Sequence, residues 1–600
     1  MAKEPTMPDE SLRDSSIGAD SSARLIEIGI ALSSERNHNR LMERILLEAK
    51  DLCNADGGTL YLRTEENCLK FEIVQTDSLN IAMGGTSGKD ITFPPLHMFN
   101  PKTGEPNEKN IACYAAVTGE SVNIKDAYTT EKFDFSGTKK FDEGTGYRSK
   151  SFLTVPLKNH EQEVIGVIQL LNATDPDTGE VIEFSDGIQP LVHALVSQAS
   201  VALDNQLLLE SQKKLLDSFI ELIASAIDAK SPYTAGHCQR VPELTKMLAF
   251  AACESKDTPF QEFDMNDDER YELHIAAWLH DCGKVTTPEY VVDKATKLET
   301  ICDRIHEIRM RFEVLKRDAE IEYLRARLDG NEDKAELKKA YEEKIAQIDD
   351  DFAFIATSNV GGEFMAPELV ERVKEISELK WTRTLDDRMG VGHEELKRMK
   401  RAPEKPLPVI ENLLADKEEH IFDRDPSTIM GPDNPFGFKL DTPEHLFNKG
   451  EVYNLTIRRG TLTNEDRFKI NEHMVQTIIM LEQLPFPKNL ARVPEYAGGH
   501  HETLIGTGYP KRLSKEDTTI PARAMAIADI FEALTASDRP YKKPKKLSDS
   551  IKIMSFMKKD QHIDGDLFKL FLTSGVYKEY SKMYLLPEQL DDVDIDQYIS

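Results

Sequence analysis

The chain has 600 residues, 75 Lys and Arg against 105 Asp and Glu, and a formal net charge of -30. That length exceeds a single core and predicts about three or four domains, while the charge disfavours a nucleic-acid polymer or an anionic membrane as partner. No run reaches the roughly 18 apolar residues of a membrane span, the polar start MAKEPTMPDESLRDSS has the pattern of neither a signal nor a transit peptide, and 7 scattered cysteines without a C-x-x-C pair suit reduced thiols; a cytoplasmic location is expected.

Residues 1–21 read as disordered, and an α+β domain with an antiparallel sheet is expected over 22–184. Its helix covers about 23–53, its strand-like runs are Gly58–Arg63, Lys70–Gln75, Val122–Ile124, Ser151–Pro156 and Val164–Leu171, with a loop at Ser136–Gly146 and a hairpin turn at Lys158–Glu163. A connecting helix is predicted over 185–228. Ile188, Leu191, Leu195, Ala202, Leu209, Leu215, Phe219, Leu222 and Ala226 approximate an a/d seam that Asn205 and Gln212 interrupt. Such a helix either packs on its own domain or forms a parallel stalk between two copies; its length, without Gly or Pro beyond Gly187 and Pro190, favours the stalk and a homodimer.

Beyond it lies an all-helical domain in two parts, 229–298 and 461–581, separated by an insertion over 299–460. The insertion begins with Glu299–Thr357, rich in Glu, Lys, Arg and Ala, where the break Asp329-Gly330-Asn331 predicts an antiparallel helical hairpin. Its remainder, with PEKPLP and DRDPSTIMGPDNPFG, reads as loop, and residues 582–600 as a loose acidic tail.

The two helical parts carry His237 in TAGHCQRV, His280-Asp281 in LHDCGK, His473 in INEHMV, His500-His501 in GGHHE and Asp529 in AIADIFEALTASDRPY. Adjacent His-Asp and His-His pairs on separate segments suit a site with more than one metal, where neutral imidazoles are terminal ligands and a carboxylate bridges. On a helix, neighbouring residues diverge by about 100°, so His280 and Asp281 share a metal only near a helix end. Lys284, three residues beyond Asp281, would present a charge to a phosphate oxygen, and Gly283 clears space beside it. Gly506, Gly508 and Pro510 make a tight loop suited to an anion, Tyr509 offers a stacking edge, and Arg539 and Lys542 add positive charge.

These motifs, with LHDCGKVTTP, NEH, HHE, GTGYP and ADIFEALTASDRPYKK in order, resemble the HD-GYP phosphodiesterases, a branch of the HD metal-dependent phosphohydrolases; the likeness covers about Ser218–Leu298 and Leu462–Phe556. It implies hydrolysis of a cyclic dinucleotide, cyclic di-GMP first among them, to linear pGpG or GMP. It implies two divalent transition metals, Fe, Mn or Zn: His237, His280, Asp281 and Asp529 would hold one, and Asp281 would bridge to a second held by His473, His500 and His501. Asp281 and Lys284 would be the catalytic pair, and Lys284, Gly508, Tyr509, Pro510, Arg539 and Lys542 would bind substrate. Tyr233 stands where some members have a third-metal glutamate, and Leu504-Ile505 where W-D usually precedes the loop. The alternatives are an HD phosphohydrolase acting on another nucleotide phosphoester, and a catalytically weak metal-containing receptor or scaffold.

In the first domain VNIKDAY, TKKFDEGTGYRSKSFLTVPL and EVIGVIQLLNA resemble a GAF domain, most closely those of cyclic-nucleotide phosphodiesterases. The resemblance implies a sensory domain with a cyclic nucleotide or other small ligand. The N-K…F-x-x-x-D-E signature of those domains is absent: Asn172 precedes Ala173, and Ile188-Gln189 follow Phe184 in place of the acids.

Overall fold

The computed structural model describes residues 23–230, 236–330, 333–362, 364–537 and 544–599. The chain divides into two compact units, Met1–Leu216 and Asp217–Ser600. The expected disordered start, Tyr233, Asn331, Arg539 and Lys542 lie outside the described residues.

The first unit is built on eight strands: β1 (Ala55–Arg63), β2 (Cys68–Thr76), β3 (Ile81–Gly84), β4 (Leu96–His97), β5 (Val122–Ile124), β6 (Phe152–Lys158), β7 (Val164–Thr174) and β8 (Val181–Ile182). They form one antiparallel sheet of order β3-β2-β1-β7-β6-β5, with β4 on β2 and β8 on β7. Alternation along β1 divides its side chains between two layers. Leu60 and Leu62 pack with Ile45, Leu46, Leu195 and Ala199 of two helices, whereas Tyr61 packs with Ala112, Cys113 and Ala116 of helix Ile111–Thr118. The helical start is interrupted: residues 23–34 are helical, and a second helix, His38–Cys53, starts at Asn37, whose side chain accepts from the Arg40 N–H at 3.0 Å. Ser136–Thr145, expected as loop, is a helix ending at Gly146 with φ 71°. Its glycines and threonines hid a helical turn that is amphipathic only once Asp142 is buried, accepting from Tyr128, the Ser149 N–H and the Ser149 hydroxyl.

The long helix is Gln189–Lys230. Its two halves differ in exposure. Val192, Leu195, Val196, Ala199 and Leu203 are buried in the first unit's core. Farther along, Val201, Leu208, Leu215 and Leu222, spaced by seven, are 57%, 47%, 57% and 63% exposed.

The second unit buries Leu244, Leu248, Leu273, Ala276, Ile527, Phe531, Phe568 and Phe571 in a helical core. The insertion has a core of its own, with Ile308, Phe312, Ile355, Val373, Ile376, Leu413 and Leu455. Helices Ile305–Asp329 and Lys334–Val360 form the hairpin, tied by Lys344–Glu322 at 2.6 Å and by stacked Tyr323 and Tyr341. The stretch expected as loop holds helices Pro367–Ser377 and His393–Met399 and two small antiparallel sheets, Lys380–Arg383 with Val409–Asn412 and Ile421–Asp423 with His445–Asn448. Pro and Gly punctuate strands too short to show periodicity. The acidic end is docked, not loose: Val593, Ile595 and Ile599 pack on the helical core, and the Gln589 amide donates to the Thr535 and Lys545 carbonyls.

Candidate metal centre

His280 and Asp281 stand where the chain leaves a helix. Helix Asp267–Leu279 ends at His280 and a 3-10 turn, Cys282–Thr286, starts after Asp281. Breaking regular geometry between the two lets adjacent side chains converge. His473 comes from the middle of helix Asn464–Glu482, His500 and His501 follow helix Val493–Gly498, Asp529 comes from helix Ile520–Thr535 and His237 begins helix His237–Glu254.

The structure gathers seven residues into two overlapping sets. His237, His280, Asp281 and Asp529 offer one atom each within 4.8 Å of one another, and so do Asp281, His473, His500 and His501. Asp281 belongs to both. Its Oδ2 lies 3.2 Å from His237 Nε2 and 3.2 Å from His280 Nε2, and its Oδ1 lies 3.2 Å from His473 Nε2.

Backbone contacts set the imidazole tautomers. Nδ1 of His280, His473 and His500 faces the carbonyl of Ala277, Ile470 and Ala497 at 2.7, 2.5 and 2.6 Å. A carbonyl only accepts, so each Nδ1 carries the proton and each Nε2 presents its lone pair. Among the described residues, those three Nε2 atoms and Asp281 Oδ1 are buried without a hydrogen-bond partner. Buried, convergent and unsatisfied acceptors are costly unless a cation receives them, so this donor set fits divalent metals.

The electrostatics agree. Burial pushes His500 down to about 4 and His501 well below its ordinary value, keeping both neutral. Burial would raise Asp281, but the Lys284 ammonium, His280 and His237 outweigh it and hold the carboxyl well below its usual range. For His237 too the neighbouring charges win: burial lowers it, yet the carboxylates of Asp281, Asp529 and Glu532 raise it well above normal, which marks a pocket of negative potential that favours a cation.

Two acids escaped the sequence reading. Glu532 accepts from His237 Nδ1 at 2.5 Å and from Arg240 Nε at 2.7 Å, and these two partners hold it at about 2 against burial. It lies three residues after Asp529 on one helix, a same-face spacing that could have exposed it. Glu502 follows the His pair and accepts from the Lys511 and Leu513 N–H groups at 2.6 and 2.9 Å, closing the GTGYP loop. Those partners are backbone groups, which no motif shows.

The loop meets the centre through Tyr509, whose ring stacks on His501 with centroids 4.8 Å apart, and the Tyr509 N–H donates to the His501 carbonyl. The close approach that Gly508 permits is to the protein's own backbone: a Cβ there would sit 2.5 Å from Glu502 Cα and 2.6 Å from the His501 carbonyl oxygen. Pro510 accepts at its carbonyl from the Lys439 N–H of the insertion. Ile505 is 52% exposed and bridges to Ser514, so the loop closes without the usual Trp-Asp pair. Lys284 Nζ lies 2.5 Å from Asp281 Oδ2.

Gly283 makes the tightest approach. A Cβ would lie 2.0 Å from the His473 carbonyl oxygen and 2.6 Å from the Thr477 nitrogen, both backbone atoms. Gly283→Ala should therefore push the turn bearing Asp281 away from the helix bearing His473. The expected cost is about 1–3 kcal/mol of stability, seen as a lowered melting temperature together with reduced metal content. Wild-type values for both would show that the two segments separate without disturbing the centre.

Family models described as GAF domain and HD domain match residues 37–203 and 408–567. The second range includes His473, His500, His501 and Asp529, whereas His237, His280 and Asp281 precede it. A 3'3'-cGAMP-specific phosphodiesterase 1 of Vibrio cholerae is 33% identical over 137 residues, 23% of this chain and 29% of that protein. A cyclic di-GMP phosphodiesterase of Pseudomonas aeruginosa is 31% identical over 140 residues, 23% of this chain and 30% of that protein. A dual 3',5'-cyclic-AMP and -GMP phosphodiesterase 11A of Takifugu rubripes is 33% identical over 112 residues, 19% of this chain and 12% of that protein. The chain thus spans less than a third of the length of each of these curated relatives.

Proposed function

We propose that this chain, an N-terminal GAF domain joined to a C-terminal HD domain, is an HD-GYP-type, metal-dependent phosphodiesterase hydrolysing a cyclic dinucleotide, cyclic di-GMP first among them, to linear pGpG or GMP. One observation carries the reading: the two oxygens of Asp281 face two separate histidine sets. The bacterial relatives, one specific for 3'3'-cGAMP and one for cyclic di-GMP, support the substrate class.

In this reading His237, His280, Asp281 and Asp529 hold one divalent metal, and Asp281, His473, His500 and His501 a second. When bound, such metals would polarise a phosphoryl oxygen and lower the pKa of bound water toward neutrality. The protein's share is orientation and charge. Backbone carbonyls fix three imidazole tautomers, Glu532 orients His237, and the Lys284 ammonium offsets negative charge on the phosphoryl oxygens. Burial keeps the Tyr509 hydroxyl protonated, so it is a donor beside His501. Metal analysis with turnover of cyclic di-GMP, 3'3'-cGAMP and mononucleotide phosphoesters tests the proposal. Hydrolysis of a cyclic dinucleotide by metal-replete protein is expected; turnover of mononucleotides alone would move the site to another phosphoester, and no turnover would favour a receptor.

The GAF domain is the regulatory part of the proposal. It encloses a cavity of about 420 Å3 lined by Tyr61, Phe71, Phe93, Phe135, Gln75 and Gln169, among others, suited to a small planar ligand such as a cyclic nucleotide. A homodimer is part of the proposal, supported by the exposed apolar residues spaced by seven from Val201 to Leu222. Light scattering should give a mass near twice 67.9 kDa. Leu208→Asp with Leu215→Asp should reduce it to one chain. A monomeric wild type would assign the seam no self-association.

A further inference from the structure

Another cavity, at the start of the helix that bears His473, has a basic lining. It is a cavity of about 490 Å3 between the end of the insertion and the start of helix Asn464–Glu482, and its lining includes Phe364, Tyr453, Arg458, Arg459, Asn464 and Arg467. Three arginines around one cavity are unusual in a chain of net charge -30. Several other arginines are paired with carboxylates: Arg240 with Glu532, Arg311 with Glu451, Arg383 with Glu411 and Arg401 with Asp423. Among the described residues no carboxylate pairs with Arg458, Arg459 or Arg467.

Among the described residues, the acids that neighbour Asn464 on this helix are engaged elsewhere. Glu465 is buried and accepts from the Tyr453 hydroxyl at 3.1 Å, and Asp466 is buried between Lys294 at 2.7 Å and Lys449 at 3.6 Å. The arginine-bearing backbone is fixed. The Arg458 carbonyl accepts from the Met365 N–H, the Gly460 N–H donates to the Gly362 carbonyl, and the Arg467 guanidinium donates to the Arg459 carbonyl at 3.0 Å. Like charges held near one cavity repel, and a multivalent anion relieves that repulsion. Guanidinium forks match phosphate oxygens. Phe364 lines the same cavity while 61% exposed, an apolar ring left in water beside the cations.

We propose that this pocket binds a nucleoside polyphosphate, its phosphates taken by Arg458, Arg459 and Arg467 and its base resting on Phe364. The site is independent of the reaction assigned to the metal centre. Calorimetry on the full-length, metal-loaded protein tests it with ATP, GTP and inorganic tripolyphosphate as probes. A nucleotide should bind in the micromolar range. Replacing all three arginines with Gln should weaken binding more than about tenfold, a loss of about 1.4 kcal/mol, with metal content and melting temperature unchanged. Phe364→Ala should weaken the nucleotide and not tripolyphosphate. If the triple variant does not fold, Arg459→Gln alone should still weaken the nucleotide several-fold. The proposal is overturned if wild-type protein binds neither nucleotide at millimolar concentration, or if the Gln variants bind as wild type does, which would place the nucleotide at the metal centre. Tripolyphosphate binding as tightly as the nucleotides, with no effect of Phe364→Ala, would overturn the nucleoside assignment.

Discussion

Asp281→Ala should strip metal and phosphodiester hydrolysis from the protein together. No other residue of the described centre belongs to both ligand sets, and its two oxygens lie 3.2 Å from His237 and His280 on one side and from His473 on the other. Alanine removes a ligand from both positions at once, along with the carboxylate oxygen 2.5 Å from the Lys284 ammonium. On the proposed two-metal reading the expected loss of turnover is roughly 10³-fold or more, since both ligand sets would lose this side chain. Metal content by mass spectrometry, turnover and circular dichroism should be read together: the metal and rate should fall while the helical signal stays. Full activity in a metal-replete variant would sink the shared-ligand reading.

Lys284→Ala should slow turnover by roughly 10²–10³-fold, the loss typical of one preorganised group aimed at developing charge, with metal content near wild type. Lys284 is held in the turn after Asp281, and burial, which lowers its pKa, is outweighed by Asp281 and Asp529, so it stays charged. The ammonium contributes charge without being a ligand. A drop in kcat with little change in KM would fit charge stabilisation in the transition state. If the variant loses metal instead, the contact with Asp281 is what matters, and Lys284 positions the carboxylate without touching substrate.

Much of this was readable along the chain. The strands announce themselves by alternation in LYL, FEIV and VIGVIQLL, and the long helix by an approximate a/d seam without Gly or Pro beyond Gly187 and Pro190. The paired chemistry of His280-Asp281 and His500-His501 is equally local, because the residue types that bind metal are few and their adjacency is rare. Where local signals were weak the reading erred. Ser136–Thr145 has no apolar stripe strong enough to mark a helix, and four-residue strands such as Lys380–Arg383 and Val409–Asn412 are shorter than the pattern that identifies a strand.

By itself the sequence determined the paired His-Asp and His-His motifs, the alternation of the sheet and the length of the connecting helix, since each is a relation between near neighbours. Only the tertiary structure decided the rest. It turned Nε2 of three histidines toward Asp281 through carbonyls on their own helical turns, set Glu532 behind His237, and closed the GTGYP loop on Glu502. It also docked the acidic end and gathered three arginines around one cavity in a negatively charged protein. These are contacts between side chains and backbone groups that come together only when the chain folds, and long-range packing leaves no period in the sequence.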